Sequence, residues 1–291
     1  MDAGRDEPTT RKVGGSSVAR GHAHPSGSDR VRQVVVCVLA VLAIVGAMIG
    51  SGAFGGTPIQ KAAGGALSSD ATLIAPAGSA FSIWSVIYAG LLCYAVWQAL
   101  PREATRLVHR RVGYAVALSM ILNAAWIGVV QGGMLTLSVI VIAALLVVLG
   151  WIFRQLQIIA RGHVSVKEAV ILDGTMGLYL GWVTIATAAN VAALLVAVGF
   201  TGWGISPDIW GTAVVVVAAV IGVSTAVAGR GRLAPAAALI WGLVWLAVAR
   251  LTGEPASFTV GIAGIGAAVV IAVAVIAARL VAGARPNDHT G

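Results

Sequence analysis

Charged side chains are scarce in this sequence, and their scarcity limits the class of protein. Asp, Glu, Lys and Arg make up 10% of the 291 residues, whereas 58% are hydrophobic and the mean hydropathy is +0.93. A typical soluble domain carries about 25% charged residues. The low charge excludes an ordinary soluble protein and predicts a polytopic membrane protein, with the lipid bilayer as its first partner.

Cysteine and histidine are also rare. Cys37 and Cys93 both lie within apolar runs, where a free cysteine behaves as a small hydrophobic residue, so we expect neither a disulfide nor a metal site. The sequence places His109 and His163 in loops between apolar runs rather than within them. This distribution argues against a haem held by paired histidines in the membrane.

Motifs of the common enzyme classes are missing as well. The sequence has no HExxH, no GxSxG, no phosphate-binding glycine loop followed by Lys, and no pair of carboxylates within an apolar run. The usual residues for metal-dependent hydrolysis, acyl transfer and aspartyl proteolysis are therefore lacking. We assign no catalytic residue.

Long apolar runs dominate what is present, and they predict an all-α bundle of eight membrane spans. A helix of about 20 residues crosses roughly 30 Å of hydrocarbon. The stretch 112–153 holds no charged residue and is long enough for two spans, with a turn at Gln131, Gly132 and Gly133. The predicted spans are 31–50, 81–100, two within 112–153, then 169–197, 209–228, 233–249 and 258–278.

The basic residues predict the orientation. With eight spans, all of the 19 Lys and Arg residues except Lys61 and Arg250 fall on one side. The positive-inside rule then places both termini in the cytoplasm of a cell-membrane protein, with a disordered tail at 1–30 and a short tail at 284–291. The formal net charge of +8 follows from this loop pattern, so we expect no nucleic-acid partner.

The fifth span carries polar and aromatic residues in a regular pattern. Tyr179, Trp182, Ala186 and Asn190 fall within a sector of about 80° of one helix. A phenol and an amide are costly in hydrocarbon unless they are hydrogen-bonded, so this stripe should face the interior of the bundle. Helix packing alone and ligand binding are both open interpretations of the stripe.

Three motifs in order resemble those of the TspO/MBR family, the translocator proteins or tryptophan-rich sensory proteins. The second span has Pro76 followed by Trp84 and Tyr88, and the third has LNAAW at residues 122–126 followed by Gly132. The fifth span has YxxWxxxATxxN, formed by Tyr179, Trp182, Ala186, Thr187 and Asn190. The resemblance covers residues 31–197, and leaves three further spans within residues 198–283 outside it.

The resemblance implies a five-helix core whose cavity lies under the loop between the first two helices. Members of the family bind porphyrins and other flat hydrophobic molecules there. No cofactor is required by this resemblance, a tetrapyrrole is a candidate ligand, and a homodimer is an open alternative. The residues implied to line or brace the cavity are Trp84, Tyr88, Asn123, Trp126, Tyr179, Trp182 and Asn190.

The sequence departs from the family pattern near the predicted cap. Gly78 stands where the family usually has Trp, Ala75 replaces the first of two prolines, and Leu178 replaces the proline before Tyr179. By comparison with the family, the predicted capping loop has thus lost the aromatic character that would contact a ligand. The fold is therefore better supported by the resemblance than the ligand.

Other functions remain as alternatives to a binding or sensory protein. A secondary transporter of a small hydrophobic molecule would need a coupling carboxylate, for which Asp173 is the candidate; a charge at the membrane interface near a helix N-terminus is the simpler interpretation of that residue. Light-dependent porphyrin breakdown, proposed for the family, would use Trp126 or Trp182. A structural membrane protein without a ligand is the remaining alternative.

Overall fold

The computed structural model describes residues 24–50, 57–159 and 165–284, and this part of the chain contains eight long helices and no strand. All eight are long and apolar enough to cross a membrane. A 3-10 turn, Gly78–Ser82, precedes the second helix, and a π-helical stretch, Glu168–Gly174, precedes the fifth. The helices are α1 Gly27–Gly50, α2 Ile83–Ala99, α3 Leu107–Gln131, α4 Leu135–Ile159, α5 Thr175–Ala197, α6 Pro207–Ala228, α7 Leu233–Thr252 and α8 Phe258–Ala284.

These helices confirm the predicted all-α membrane bundle of eight spans. The turn predicted at Gln131, Gly132 and Gly133 separates α3 from α4, and Gly133 has a positive φ of 71° there, a conformation that glycine adopts without strain. The predicted orientation, with both termini in the cytoplasm, stays a prediction. We therefore call the end where residues 57–82 cross between α1 and α2 the loop end, and the other the far end.

Helix α1 begins four residues earlier than predicted because its first turn is capped. The Ser26 hydroxyl accepts a hydrogen bond from the Asp29 N–H at 3.3 Å, and the Asp29 carboxylate accepts one from the Ser26 N–H at 3.0 Å. The predicted tail, 1–30, therefore includes the start of a helix. Its residues 1–23 lie outside the described part of the chain, as do residues 285–291 at the other terminus.

The expectation that histidine lies only in loops is wrong for His109. Helix α3 begins at Leu107, because its basic residues are neutralised by partners: Arg110 donates to the Asp29 carboxylate at 2.6 Å. His109 consequently lies in the first turn of α3, fully buried, with its ring 4.6 Å from that of Trp97. His163 lies outside the described residues.

The hydrophobic core forms two clusters that meet between α5 and α7. One cluster is built mainly from α1 to α5, and the other mainly from α6 to α8. At their boundary a Cβ atom added to Gly181 would lie 2.3 Å from the carbonyl oxygen of Pro235 in α7, and one added to Gly177 would lie 2.8 Å from Ala234 and from Pro235. These two glycines allow α7 to approach the backbone of α5 directly.

Candidate functional site

A cavity of about 320 Å³ lies at the loop end, between α1, α2 and α3 and beneath residues 58–60. Its floor and walls come from three helices, and the loop between α1 and α2 forms its roof. The position under that loop agrees with the arrangement that the family resemblance implied. The lining residues are Ile44, Ala47, Met48, Gly50, Pro58, Ile59, Gln60, Phe81, Trp84, Ser85, Tyr88, Trp126 and Ile127.

Trp84 is the centre of an aromatic cluster beside this cavity. Its ring stacks on that of Tyr88, with the centroids 5.5 Å apart and the planes inclined by 23°. The edges of the Tyr179 and Trp182 rings approach it at centroid distances of 5.7 and 6.3 Å. Four of the predicted site residues therefore form one continuous set of ring contacts between α2 and α5, with the geometries that aromatic pairs prefer.

Tyr88 is held from behind by an amide. The Asn123 side chain donates a hydrogen bond from Nδ2 to the Tyr88 hydroxyl oxygen at 2.7 Å. Because the phenol accepts this bond, its own hydrogen remains available for an acceptor in the cavity. Asn123 is itself buried and does not line the cavity, so its role in this geometry is to position Tyr88.

Trp126 is held in the same way by Asn190. The indole Nε1 donates to Asn190 Oδ1 at 2.7 Å, and Asn190 Nδ2 donates to the Ser138 hydroxyl at 2.9 Å. Asn190 is fully buried and thus joins α3, α4 and α5. An amide buried with both ends bonded is stable in an apolar interior, and it holds the Trp126 ring against the cavity.

Tyr179 and Trp182 complete the set on α5. The Tyr179 hydroxyl donates to the Ser119 carbonyl at 3.2 Å, and its ring is fully buried behind Trp84. Trp182 borders a second, much smaller void of about 20 Å³, which also touches Ala186 and is separated from the main cavity by Trp84 and Trp126. Ala186, the small residue of the stripe on the fifth span, thus borders this void.

The predicted residues therefore divide into two groups. Trp84, Tyr88 and Trp126 line the main cavity, whereas Trp182 lines the small void. Asn123, Tyr179 and Asn190 lie behind them and bond them or their neighbours. The geometry shows the arrangement of these side chains, while ligand contact by any of them stays a prediction.

Sequence reasoning missed Phe81 and the roof. Phe81 lines both cavities, and its ring meets the edge of Trp182 at 5.5 Å; its position three residues before Trp84 is a helix-face signal that could have found it. The roof residues carry no comparable signal. Gln60 donates from Nε2 to the Gly78 carbonyl at 3.0 Å, so an amide covers the glycine where the family usually has Trp.

Several charged residues at the far end form ion pairs. Arg106 donates to Glu168 at 2.7 Å and to Glu103 at 3.2 Å. Asp173, the candidate coupling carboxylate, lies 2.9 Å from the guanidinium of Arg232 at the start of α7. The structure thus gives Asp173 a helix-joining partner, which favours the interpretation as a structural charge. In the described residues no three His, Cys, Asp or Glu are grouped for a metal ion.

The fold and the cavity define a class of protein: an integral, multi-pass α-helical membrane protein with an aromatic-walled cavity under its first loop. The sequence model of the family described as TSPO-like protein matches residues 36–277, and the chain belongs to that family. The match extends into α8, so it reaches all three of the spans that the motif resemblance left out. Comparison with curated proteins and with solved structures found no match.

Proposed function

We propose that this protein binds a flat hydrophobic molecule in the cavity under the first loop, and that a tetrapyrrole is the first ligand to test. One observation carries the proposal: Trp84, Tyr88 and Trp126 line a cavity of about 320 Å³ and are each braced by a ring contact or a hydrogen bond. Membership in the TSPO-like family supports the same class of ligand.

The chemistry of the walls suits a planar ligand. Indole and phenol faces offer extensive contact to a flat ring system, and such contacts contribute about 0.5–1.5 kcal/mol each beyond the area that they bury. The polar atoms at the wall come from Gln60, Ser85 and the Tyr88 hydroxyl, which is the small number of polar groups that orients a ligand in a mostly apolar pocket.

The size of the cavity refines the proposal. Its volume lies at the lower end of the roughly 300–1,000 Å³ that small-molecule sites span. A compact aromatic ligand fits within it, whereas a macrocycle would be held by one edge with the remainder toward the opening. The proposal concerns binding; transport is the alternative, and its candidate carboxylate, Asp173, is paired with Arg232.

The test is a titration of the protein in nanodiscs with protoporphyrin, in which binding is measured from the shift of the porphyrin absorption band. This signal does not depend on tryptophan fluorescence, so tryptophan variants can be compared directly. We expect saturable binding, with about tenfold weaker affinity for Trp84→Leu because a stacking surface is lost. Trp151→Leu is the matched control, since Trp151 lies on α4, is 43% exposed and does not line the cavity.

Asn190→Ala tests the bracing network in the same titration. It removes no atom from the cavity wall but frees the Trp126 ring, so we expect weaker binding with an unchanged ligand stoichiometry. Porphyrin uptake that is linear in concentration and equal in all variants would show partitioning into the bilayer. That result would contradict the proposed function and leave the fold unchanged.

A further inference from the structure

Helix α7 runs along the segment that joins the roof of the cavity to α2. The indole Nε1 of Trp241 donates to the Ala80 carbonyl at 2.9 Å, and the Ala77 N–H donates to the Trp245 carbonyl at 3.1 Å. Further along α7, the Arg250 guanidinium donates from Nη2 to the Ser69 carbonyl. The residue numbers rise along α7 as they fall along the segment, so the two run antiparallel over residues 69–80.

Arg250 is an unusual residue to find in this place. It is 1% exposed, and its guanidinium bonds two carbonyl oxygens: that of Ser69 in the loop and that of Pro255, at 2.7 Å, in the link between α7 and α8. A buried charge is tolerated only when hydrogen bonds replace its hydration, and the planar fork of arginine suits two such acceptors. Arg250 therefore ties the first loop to the end of α7.

The segment that α7 holds also borders the cavities. Pro76 within the segment lines the small void; just beyond its two ends, Leu67 lines the same void and Phe81 lines both cavities. On its other side the same segment is bonded to α7, while residues 58–60 roof the main cavity. Because Gln60 of the roof donates to the Gly78 carbonyl of this segment, movement of the segment away from α7 would move Phe81 and the roof together.

We infer that α7 acts as a clamp, meaning that its hydrogen bonds to the loop hold the roof of the cavity closed. Arg250 and Trp241 are the positioning residues of this clamp. Helix α7 then sets how often the roof opens, and, given the proposed function, how fast a ligand leaves. This assigns a role to the part of the chain that lies outside the five-helix resemblance. Arg250 and Trp241 touch the loop and not the cavity, so they act through the roof.

The first measurement is independent of any ligand. In a Cys37→Ala, Cys93→Ala background, Leu67→Cys places a thiol at a buried roof position, 7% exposed, and its rate of reaction with a water-soluble maleimide reports roof opening. We expect Arg250→Met to raise this rate about tenfold, because two hydrogen bonds from a charged donor are lost. Trp241→Phe, which removes one neutral hydrogen bond, should raise it severalfold.

Two controls distinguish loss of the clamp from a general loosening of the helix bundle. Trp210→Phe also removes an indole hydrogen bond to a carbonyl, that of Gly202 at 3.0 Å, but this bond does not involve the roof, so the labelling rate should stay unchanged. Ala104→Cys probes a buried position, 1% exposed, at the far end of the bundle, and its labelling should be the same with and without Arg250→Met. Trp241→Phe keeps the test valid if Arg250→Met does not fold.

The outcomes distinguish this inference from the proposed function. Unchanged Leu67→Cys labelling in Trp241→Phe and in a folded Arg250→Met would overturn the clamp, as would an equal rise at Ala104→Cys. Faster roof labelling supports the clamp even when protoporphyrin shows no saturable binding, in which case only the proposed function fails. When binding is saturable, stopped-flow dissociation should be about tenfold faster in Arg250→Met.

Discussion

The two faces of α5 meet their neighbours by different means. One face carries Tyr179, Trp182 and Asn190, which join α2, α3 and α4 through ring contacts and side-chain hydrogen bonds. The roughly opposite face carries Gly177 and Gly181, which allow the backbone of α7 to come close. The first face depends on aromatic and polar side chains, whereas the second depends on two glycines that have no side chain.

This difference has a physical basis in the membrane. Lipid tails are as apolar as the helices, so helices associate through close packing and through polar groups that find partners. The polar face specifies one arrangement because the Trp126 indole, the Tyr179 hydroxyl and the Asn190 amide each donate to a particular acceptor on a neighbouring helix or on α5 itself. The glycine face gains contact area without that specificity. Because α7 covers the glycine face, a second copy of the chain, in the homodimer that the sequence leaves open, would have to use another surface.

The largest effect should follow from a side chain on the glycine face. Gly181→Leu would place its Cβ atom 2.3 Å from the Pro235 carbonyl, and backbone atoms cannot move as a flexible side chain does. We expect a loss of at least about 3 kcal/mol of stability through forced separation of α5 and α7. The measurement is the free energy of unfolding in mixed detergent micelles, or the folded yield when no folded protein is recovered.

Gly150→Leu is the control for this first prediction. Gly150 lies within α4, and a Cβ atom there would meet nothing within 4 Å. Its substitution should change stability little. If Gly181→Leu is as stable as Gly150→Leu, the close approach of α5 to α7 is not required, and the contrast between the two faces of α5 fails.

The next effect belongs to the polar face. Asn190→Ala leaves the Trp126 Nε1 and the Ser138 hydroxyl without their bonds to the amide, and we expect a loss of about 2–3 kcal/mol in the free energy of unfolding. Trp126→Phe should then reduce the free energy of unfolding by less in the Asn190→Ala background than in the wild type. Additive losses in this double-mutant cycle would show that the two residues are not coupled.

Hydropathy predicted the number and type of the helices but not where several of them begin. The spans of α2 and α6 were placed within a few residues, because apolar runs determine their length. The start of α3 was missed, since Arg110 and His109 look like loop residues to a hydropathy window. Their place in the helix depends on partners distant in sequence, Asp29 and Trp97, which no local pattern reveals.

The site was predictable where residues repeat on one helix face. Trp84 and Tyr88, four residues apart, and the stripe on α5 were visible from spacing alone. The roof residue Gln60 was not, because its contact with Gly78 arises only when the loop folds back over the bundle. The division into lining and bracing residues also needed the structure, since it depends on which helices are neighbours.

A smaller effect is expected from the ion pair that joins the π-helical stretch before α5 to the residue before α7. Asp173→Asn removes the charge that pairs with Arg232 at 2.9 Å, and both side chains are partly exposed, so we expect a loss of about 1 kcal/mol. Arg232→Met should reduce stability by a similar amount, and the double variant should be only slightly less stable than either single variant. The same Asp173→Asn protein, placed in vesicles, tests the transport alternative. If uptake of a small hydrophobic molecule under a pH gradient is abolished, Asp173 is favoured as a coupling carboxylate over a structural charge.

Tyr179→Phe should have the smallest effect and gives the finest test of the polar face. It removes only the hydrogen bond to the Ser119 carbonyl at 3.2 Å and keeps the ring that meets Trp84. We expect a loss of about 0.5–1 kcal/mol in stability, since a hydrogen bond from a side chain to a neighbouring helix contributes modestly in a membrane protein. Porphyrin affinity should change less than in Trp84→Leu, because the ring behind the cavity wall stays in place. A larger loss of affinity than of stability would instead place the Tyr179 hydroxyl in contact with the ligand, and its bracing role would then be wrong.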